Sequence, residues 1–359
     1  MVDSLFRPTI DTLEGYEPGE WPPLDAGVLK LNSNENPYPP SPKVVATLSE
    51  VSGELLRRYP NPRGQTFCRT VGKTFGVPTD WVIAGNGSDD LLTLLVRACA
   101  GESTRPGLAY PMPTYVLYRT LAAIQPVKAV EIFYGQKGTD WLLPVDALIA
   151  TQAAVTLIAT PNSPTGHVVP MEDLRTLAAN LRGVLVVDEA YIDFAGTGAD
   201  TAALELVREF DNVIVLRTLS KGYGLAGLRL GFGIAQPGLL AGLLKVKDSY
   251  NVDAIALKLG EAAILDQAYK NDCVQKVIAA RQQLATDLQQ LAFKVWPSQT
   301  NFLLVQPPTG EAQRLYKGLK EQNIMIRYFD QPGLDDKLRI TVGTLEQNAR
   351  MVEVIAKLL

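Results

Sequence analysis

Histidine occurs once in the 359-residue chain, at His167. That count argues against a site of several histidines around a metal and against a triad built on imidazole, so proton shuttling falls to lysine, tyrosine or a carboxylate. Cysteine is nearly as scarce: Cys68, Cys99 and Cys273 are far apart and follow no spacing, which speaks against a disulfide framework or a zinc site. No run of eighteen apolar residues offers a membrane span, and residues 1–7 carry no signal-peptide core. The expectation is therefore a cytoplasmic protein without a membrane. With 34 basic against 38 acidic residues, a formal net charge of −4, there is no basic footprint for nucleic acid. Internal repeats and low-complexity segments are missing too.

What remains is ordinary globular material, 47% hydrophobic and 20% charged, in a chain long enough for one large domain and a smaller one. The first thirty residues are proline-broken and weakly patterned. From residue 66 to about 235 short apolar runs at 81–84, 127–133, 154–159, 184–187 and 213–216 read as buried strands. Helical stretches such as 89–96 and 171–178 lie between most of them, and Phe232 marks a strand turning back along the sheet. This alternation predicts an α/β fold with a mainly parallel sheet and right-handed crossovers. Ligands bind such sheets at the carboxyl ends of the strands. Residues 236–292 read as nearly all helical. Beyond them, strands at 302–305, 324–328 and 338–342 with helices at 310–322 and 345–358 predict a compact α+β unit.

The chemistry gathers where strands end. After the run 213–216 comes Thr218-Leu-Ser-Lys-Gly-Tyr-Gly-Leu-Ala-Gly-Leu-Arg229, whose glycines let a small ligand approach the backbone. A free lysine, with a pKa of about 10.4, is a poor nucleophile near neutrality. Lys221 escapes that difficulty if its amine is stored as a Schiff base. Thr218, Ser220 and Arg229 are the residue types that grip phosphate, and an amine beside a phosphate grip points to pyridoxal phosphate. A plain surface loop is the competing reading of this stretch by itself.

Four further strand exits bear on the choice. Gly85-Asn-Gly-Ser-Asp-Asp90 leads into a helix whose free amides face an anion, so Gly87, Ser88 and Asp89 are phosphate candidates. Thr160-Pro-Asn-Ser-Pro-Thr-Gly166 presents Asn162 to the cofactor's phenolic oxygen, and Tyr191 shares that oxygen. Asp188 ends a wholly apolar strand, where a carboxylate is costly unless paired; a pyridinium N–H would pair it and keep the ring an electron sink. Magnesium is the alternative partner, discounted because no Gly-x-x-x-x-Gly-Lys-Ser/Thr loop precedes it. Tyr115, in Tyr110-Pro-Met-Pro-Thr-Tyr115, is placed to stack on the ring.

Taken together, Asn162-Ser-Pro-Thr-Gly, Asp188-Glu-Ala-Tyr191, Ser220-Lys221 with Arg229, and Leu338-Arg-Ile-Thr-Val-Gly343 resemble a fold-type I pyridoxal-phosphate aminotransferase. With Leu31-Asn-Ser-Asn-Glu-Asn-Pro37 and Arg58-Tyr-Pro60, the chain is most similar to the histidinol-phosphate branch of that family. The resemblance covers nearly the whole chain. It implies a large domain with a mostly parallel seven-stranded sheet over 36–250, an N-terminal arm over 1–35, an interdomain helix over 251–290 and a small C-terminal domain over 291–359. It further implies a homodimer in which Tyr59 reaches the partner's cofactor phosphate. Arg339 and Arg327 would bind substrate anions, and Tyr16 and Asn34 would line the substrate pocket. The implied activity is amino exchange between histidinol phosphate and 2-oxoglutarate, with Lys221 as the base and no metal. On the same machinery, aromatic amino-acid transamination or threonine-phosphate decarboxylation stays open. A pyridoxal-phosphate-binding regulator would need a spare DNA-binding domain, and a Rossmann nucleotide binder would need a Gly-x-Gly-x-x-Gly turn; the chain has neither.

Overall fold

Apolar alternation organises the molecule around one large sheet. In the computed structural model, which describes residues 5–11, 13, 22–23, 27–101, 105–196 and 199–359, seven strands lie in the spatial order Val82–Gly85, Gly231–Ala235, Val213–Thr218, Val184–Asp188, Val155–Ala159, Leu108–Met112 and Ala129–Phe133. Five of them pair in parallel. The strand Gly231–Ala235 runs antiparallel to both of its neighbours, as the turn-back at Phe232 predicted. Successive side chains point to opposite faces. Leu185 and Val187 therefore pack with Phe67, Leu174 and Leu204 on one side, while Val186, Ile214 and Leu216 pack with Leu91, Leu95 and Leu121 on the other. Both faces are covered by helices, which is why these strands read as continuous apolar runs and not as alternating ones.

The smaller unit is built on a four-stranded sheet in the order Lys294–Val295, Phe302–Gln306, Leu338–Thr341 and Arg327–Tyr328. The helices Ala312–Glu321 and Leu345–Leu358 cover it. The second of these starts at a full capping box, with Thr344 accepting from the Gln347 amide and Gln347 reaching back. The α/β architecture with an attached α+β unit is thus the expected one.

Two expectations change in detail. The stretch 251–290 is two helices, Ala254–Leu265 and Gln267–Gln290. They separate at Asp266, whose carboxylate is bound by the Ser41 hydroxyl and by Lys43 at 2.9 Å. The first packs into the large core beside Phe67, and the second into the small one through Val277 and Leu284. The single strand expected over 324–328 is divided as well. Ile324–Met325 pairs in parallel with Leu29–Lys30, whereas Arg327–Tyr328 pairs antiparallel with the strand at 338. Residues 29–31 of the arm are thereby stitched into the smaller unit, with Leu29 and Leu31 in its core.

Candidate active site

The carboxyl ends of the central strands open into a cavity of about 1870 Å³. Lys221 lines it from the turn that follows the strand Val213–Thr218 and the buried Leu219. Its Nζ donates to the Ser33 carbonyl at 3.1 Å and lies 5.8 Å from the Tyr191 ring. Asp188 closes the adjacent strand and is 4% exposed. Its Oδ2 accepts from the Tyr118 hydroxyl at 2.8 Å and its Oδ1 from the Ala190 amide at 3.2 Å. Burial, and then the negative charge of Asp89, push its carboxyl up to about 6, against the opposing pull of the Tyr118 hydrogen bond.

At one end of the cavity the anion-binding residue types converge. Gly87, with φ +77°, turns the chain into the helix Ser88–Cys99, whose first amides have no intrahelical partner. Thr218 donates to Ser220 at 2.9 Å, and Arg229 reaches Ser220 at 3.5 Å and Asp89 at 3.4 Å. The backbone here is packed too closely for side chains: a Cβ on Gly87 would stand 2.9 Å from the Arg229 guanidinium, and one on Gly231 2.6 Å from the Ser88 nitrogen. Tyr115 lines the same cavity, its hydroxyl donating to Asp89 at 3.3 Å.

Across the cavity, Arg339 comes from the smaller unit. It donates to the Ser163 hydroxyl and to the Asn32 carbonyl, each at 3.0 Å, and its guanidinium lies 5.3 Å from the Phe302 ring. Arg327 and Arg339 both stand 5.6 Å from the ring of Phe329. Asn34 sits at the wall with φ +56°, donating to the Tyr191 hydroxyl at 2.9 Å while Thr341 fixes its backbone and side-chain oxygen. Tyr191 is therefore held by Asn34.

Asn162 is not brought to the cavity wall with most of the other predicted residues. It is fully buried, with its two amide hydrogens committed to the Pro113 carbonyl at 3.0 Å and the Thr165 hydroxyl at 2.7 Å. The neighbouring Ser163 lines the cavity in its place. The rigid turn between two prolines decides which of two adjacent polar residues faces inward, and residue type alone does not. Tyr59 is also away from its own chain's cavity: it is 81% exposed and stacks on Tyr250 at 4.5 Å. Tyr16 lies outside the described residues. Sequence reasoning missed Tyr118, Ser163 and the aromatic platform of Phe329; the one available signal was the second tyrosine three residues after Tyr115.

Comparison with known proteins agrees with this geometry. A family model described as "Aminotransferase class I and II" matches residues 26–355. The chain is 58% identical over 360 residues, covering all of both chains, to histidinol-phosphate aminotransferase 1 of Trichormus variabilis. It is 40% identical over 354 residues, 98% of each, to histidinol-phosphate aminotransferase of Citrifermentans bemidjiense. Among solved structures, that of histidinol-phosphate aminotransferase from Sinorhizobium meliloti in complex with pyridoxal-5'-phosphate superposes with a TM-score of 0.87. It is 24% identical over 99% of both chains, a likeness of fold.

Proposed function

The chain belongs to the aminotransferase class I and II family, and from that premise we propose that it exchanges an amino group between L-histidinol phosphate and 2-oxoglutarate. The products are imidazole acetol phosphate and glutamate, and the reaction belongs to histidine biosynthesis. The observation that carries this reading is the full-length 58% identity to a relative named for that activity. The cavity chemistry is the kind such a reaction needs.

The cofactor is pyridoxal 5'-phosphate, and the residues fit it. Gly87 and Gly231 leave a cradle that a Cβ would fill, beside Arg229 and a helix N-terminus, while a buried carboxylate with only neutral hydrogen-bond donors stands at the other end. When bound, the cofactor supplies an electrophilic aldehyde and an electron-withdrawing ring. Arg229, Thr218, Ser220 and the amides at Ser88 hold its phosphate. Asp188 holds the proton on the ring nitrogen, and Tyr115 and Tyr191 wall the ring. Lys221 Nζ moves the proton at the substrate's Cα. Arg339 and Arg327, resting against aromatic faces, bind the carboxylates of glutamate and the phosphate of histidinol phosphate. Asn34 links the arm to Tyr191 and so fixes one side of the pocket.

Family members of this kind work as dimers on small molecules. The exposed Tyr59, outside its own cavity, supports a reading in which it reaches the phosphate bound by the partner. Cytoplasmic residence goes with the biosynthetic role. Among the described residues no helix is long and apolar enough to cross a membrane.

The purified enzyme, given histidinol phosphate and 2-oxoglutarate, should form glutamate in parallel-line, two-stage kinetics. Its kcat/KM for histidinol phosphate should exceed that for phenylalanine by roughly tenfold or more, the scale that pocket contacts supply. Release of carbon dioxide from threonine phosphate, or a preference for phenylalanine, would overturn the assignment. Lys221→Ala should lose roughly 10²- to 10⁴-fold in turnover, the usual contribution of a positioned base.

A further inference from the structure

Tyr118 is fully buried in the helix Leu117–Ile124, between the rings of Tyr110 and Tyr115, each with its centroid 5.8 Å away. Packing of that kind needs a ring and not a hydroxyl. The hydroxyl nonetheless reaches across to the large sheet and donates to Asp188 Oδ2 at 2.8 Å. Asp188 Oδ1 takes the Ala190 amide. A carboxylate offers about four lone-pair positions, so two such donors pin its rotation and leave acceptor capacity facing the cavity. Both donors are neutral. An arginine or lysine in place of Tyr118 would cancel the charge that a protonated ring nitrogen requires. The tyrosine stays a donor, because burial first, and then the charge of Asp188, push its own ionisation well above the ordinary range.

We propose that Tyr118 is a positioning residue for Asp188, its hydroxyl fixing the rotation of that carboxylate and sustaining its negative charge without neutralising it. The inference rests on the reading of Asp188 as the partner of the cofactor's ring nitrogen. The other charged groups around this point are Asp89, whose charge opposes ionisation of Asp188, and Arg229 and Lys221, whose charges act on Asp89. The tyrosine is the side-chain donor that favours the ionised form directly.

The test uses titration of the apoenzyme with pyridoxal phosphate, followed by fluorescence across pH 5 to 9, which reads affinity independently of turnover. Tyr118→Phe keeps the ring and removes the donor. Its dissociation constant should rise about ten- to a hundredfold, the range for a lost hydrogen bond to a charged group, and the acid limb of the binding profile should move to higher pH by about one unit. Fluorotyrosine incorporated at position 118, a more acidic donor, should move that limb the other way. A purely structural role would lower the melting temperature of Tyr118→Phe and leave the limb in place. A limb unmoved in both substituted proteins overturns the proposal, and the fluorinated protein decides the matter should the phenylalanine variant not fold. Asp188→Asn separates the two readings. If it binds the cofactor as tightly as the unsubstituted chain, the assignment of Asp188 fails; if it binds weakly while Tyr118→Phe binds normally, only the role of Tyr118 fails.

Discussion

A carboxyl group at Asp188 is held at about 6 by burial against about 3.9 in an unfolded chain, a difference of roughly 2 units or about 3 kcal/mol. The folded form binds the extra proton between those values, so this residue's contribution to stability falls as pH rises from about 4 to 6 and stays low above. Without cofactor, Asp188→Asn should therefore gain melting temperature relative to the parent as pH increases through that window. Calorimetry of the two apoproteins at pH 4.5 and pH 8 checks it; a constant offset would show that the carboxyl is not desolvated. His167 works in the opposite sense. Its ring stands edge-on to Tyr134 at 4.8 Å and its Nδ1 meets the Thr165 hydroxyl at 2.7 Å. Burial lowers it to about 4, so its contribution is complete above about 6.5 and is lost as pH falls towards 4. Replacing it with Gln should flatten the acid side of the stability profile. At this scale the sequence was informative about residue types and much less about direction. Asp188 stood out because a carboxylate ending an apolar strand demands a partner, and Lys221 and Arg229 because an amine and a guanidinium share one glycine-rich stretch with hydroxyls; all three line the one cavity. That Ser163 and not Asn162 lines the cavity, and that Tyr118 reaches Asp188, could not be read from residue type, because orientation is settled by turns and by contacts made far along the chain.

Elements tell a similar story with different weights. Five of the seven strands, both edge strands among them, were legible from short apolar runs, and the last helix was legible over 345–358; its capping box at Thr344 and Gln347 emerged only in the structure. Leu108–Met112 showed only through its exit at Tyr110–Tyr115 and not as an apolar run, because it carries Pro111, a residue that ordinarily argues against an inner strand. The break at Ile326 was invisible, since it follows from pairing with Leu29–Lys30, nearly three hundred positions earlier. The antiparallel strand carries its own test. A methyl group on Gly231 would meet the Ser88 nitrogen at 2.6 Å and the Arg217 carbonyl oxygen at 2.8 Å, both backbone atoms with little freedom to move aside. Gly231→Ala should cost about 1–3 kcal/mol, the range for overpacking. It should also weaken pyridoxal phosphate binding, because the displaced amides are those at the phosphate end. Thermal melts and cofactor titration read the two effects separately, and a stable variant with normal affinity would refute the close packing.

For the molecule as a whole, the sharpest prediction concerns two copies. If Tyr59 serves the partner's site, Tyr59→Ala and Lys221→Ala protomers mixed under subunit exchange should regain activity. One site of each mixed dimer then combines an intact Lys221 with an intact Tyr59. No recovery above the sum of the two separate variants would place Tyr59 outside the reaction. The pairing of Leu29–Lys30 with Ile324–Met325 has a further consequence, one of timing. During synthesis the polypeptide emerges at about 5–20 residues per second, and the segment bearing Ser33 and Asn34 has no sheet to join until position 325 has left the ribosome. The vitamin-binding pocket, walled by that segment and by Arg339, is thus among the last parts of the nascent enzyme to take shape, and loading must follow translation and not accompany it.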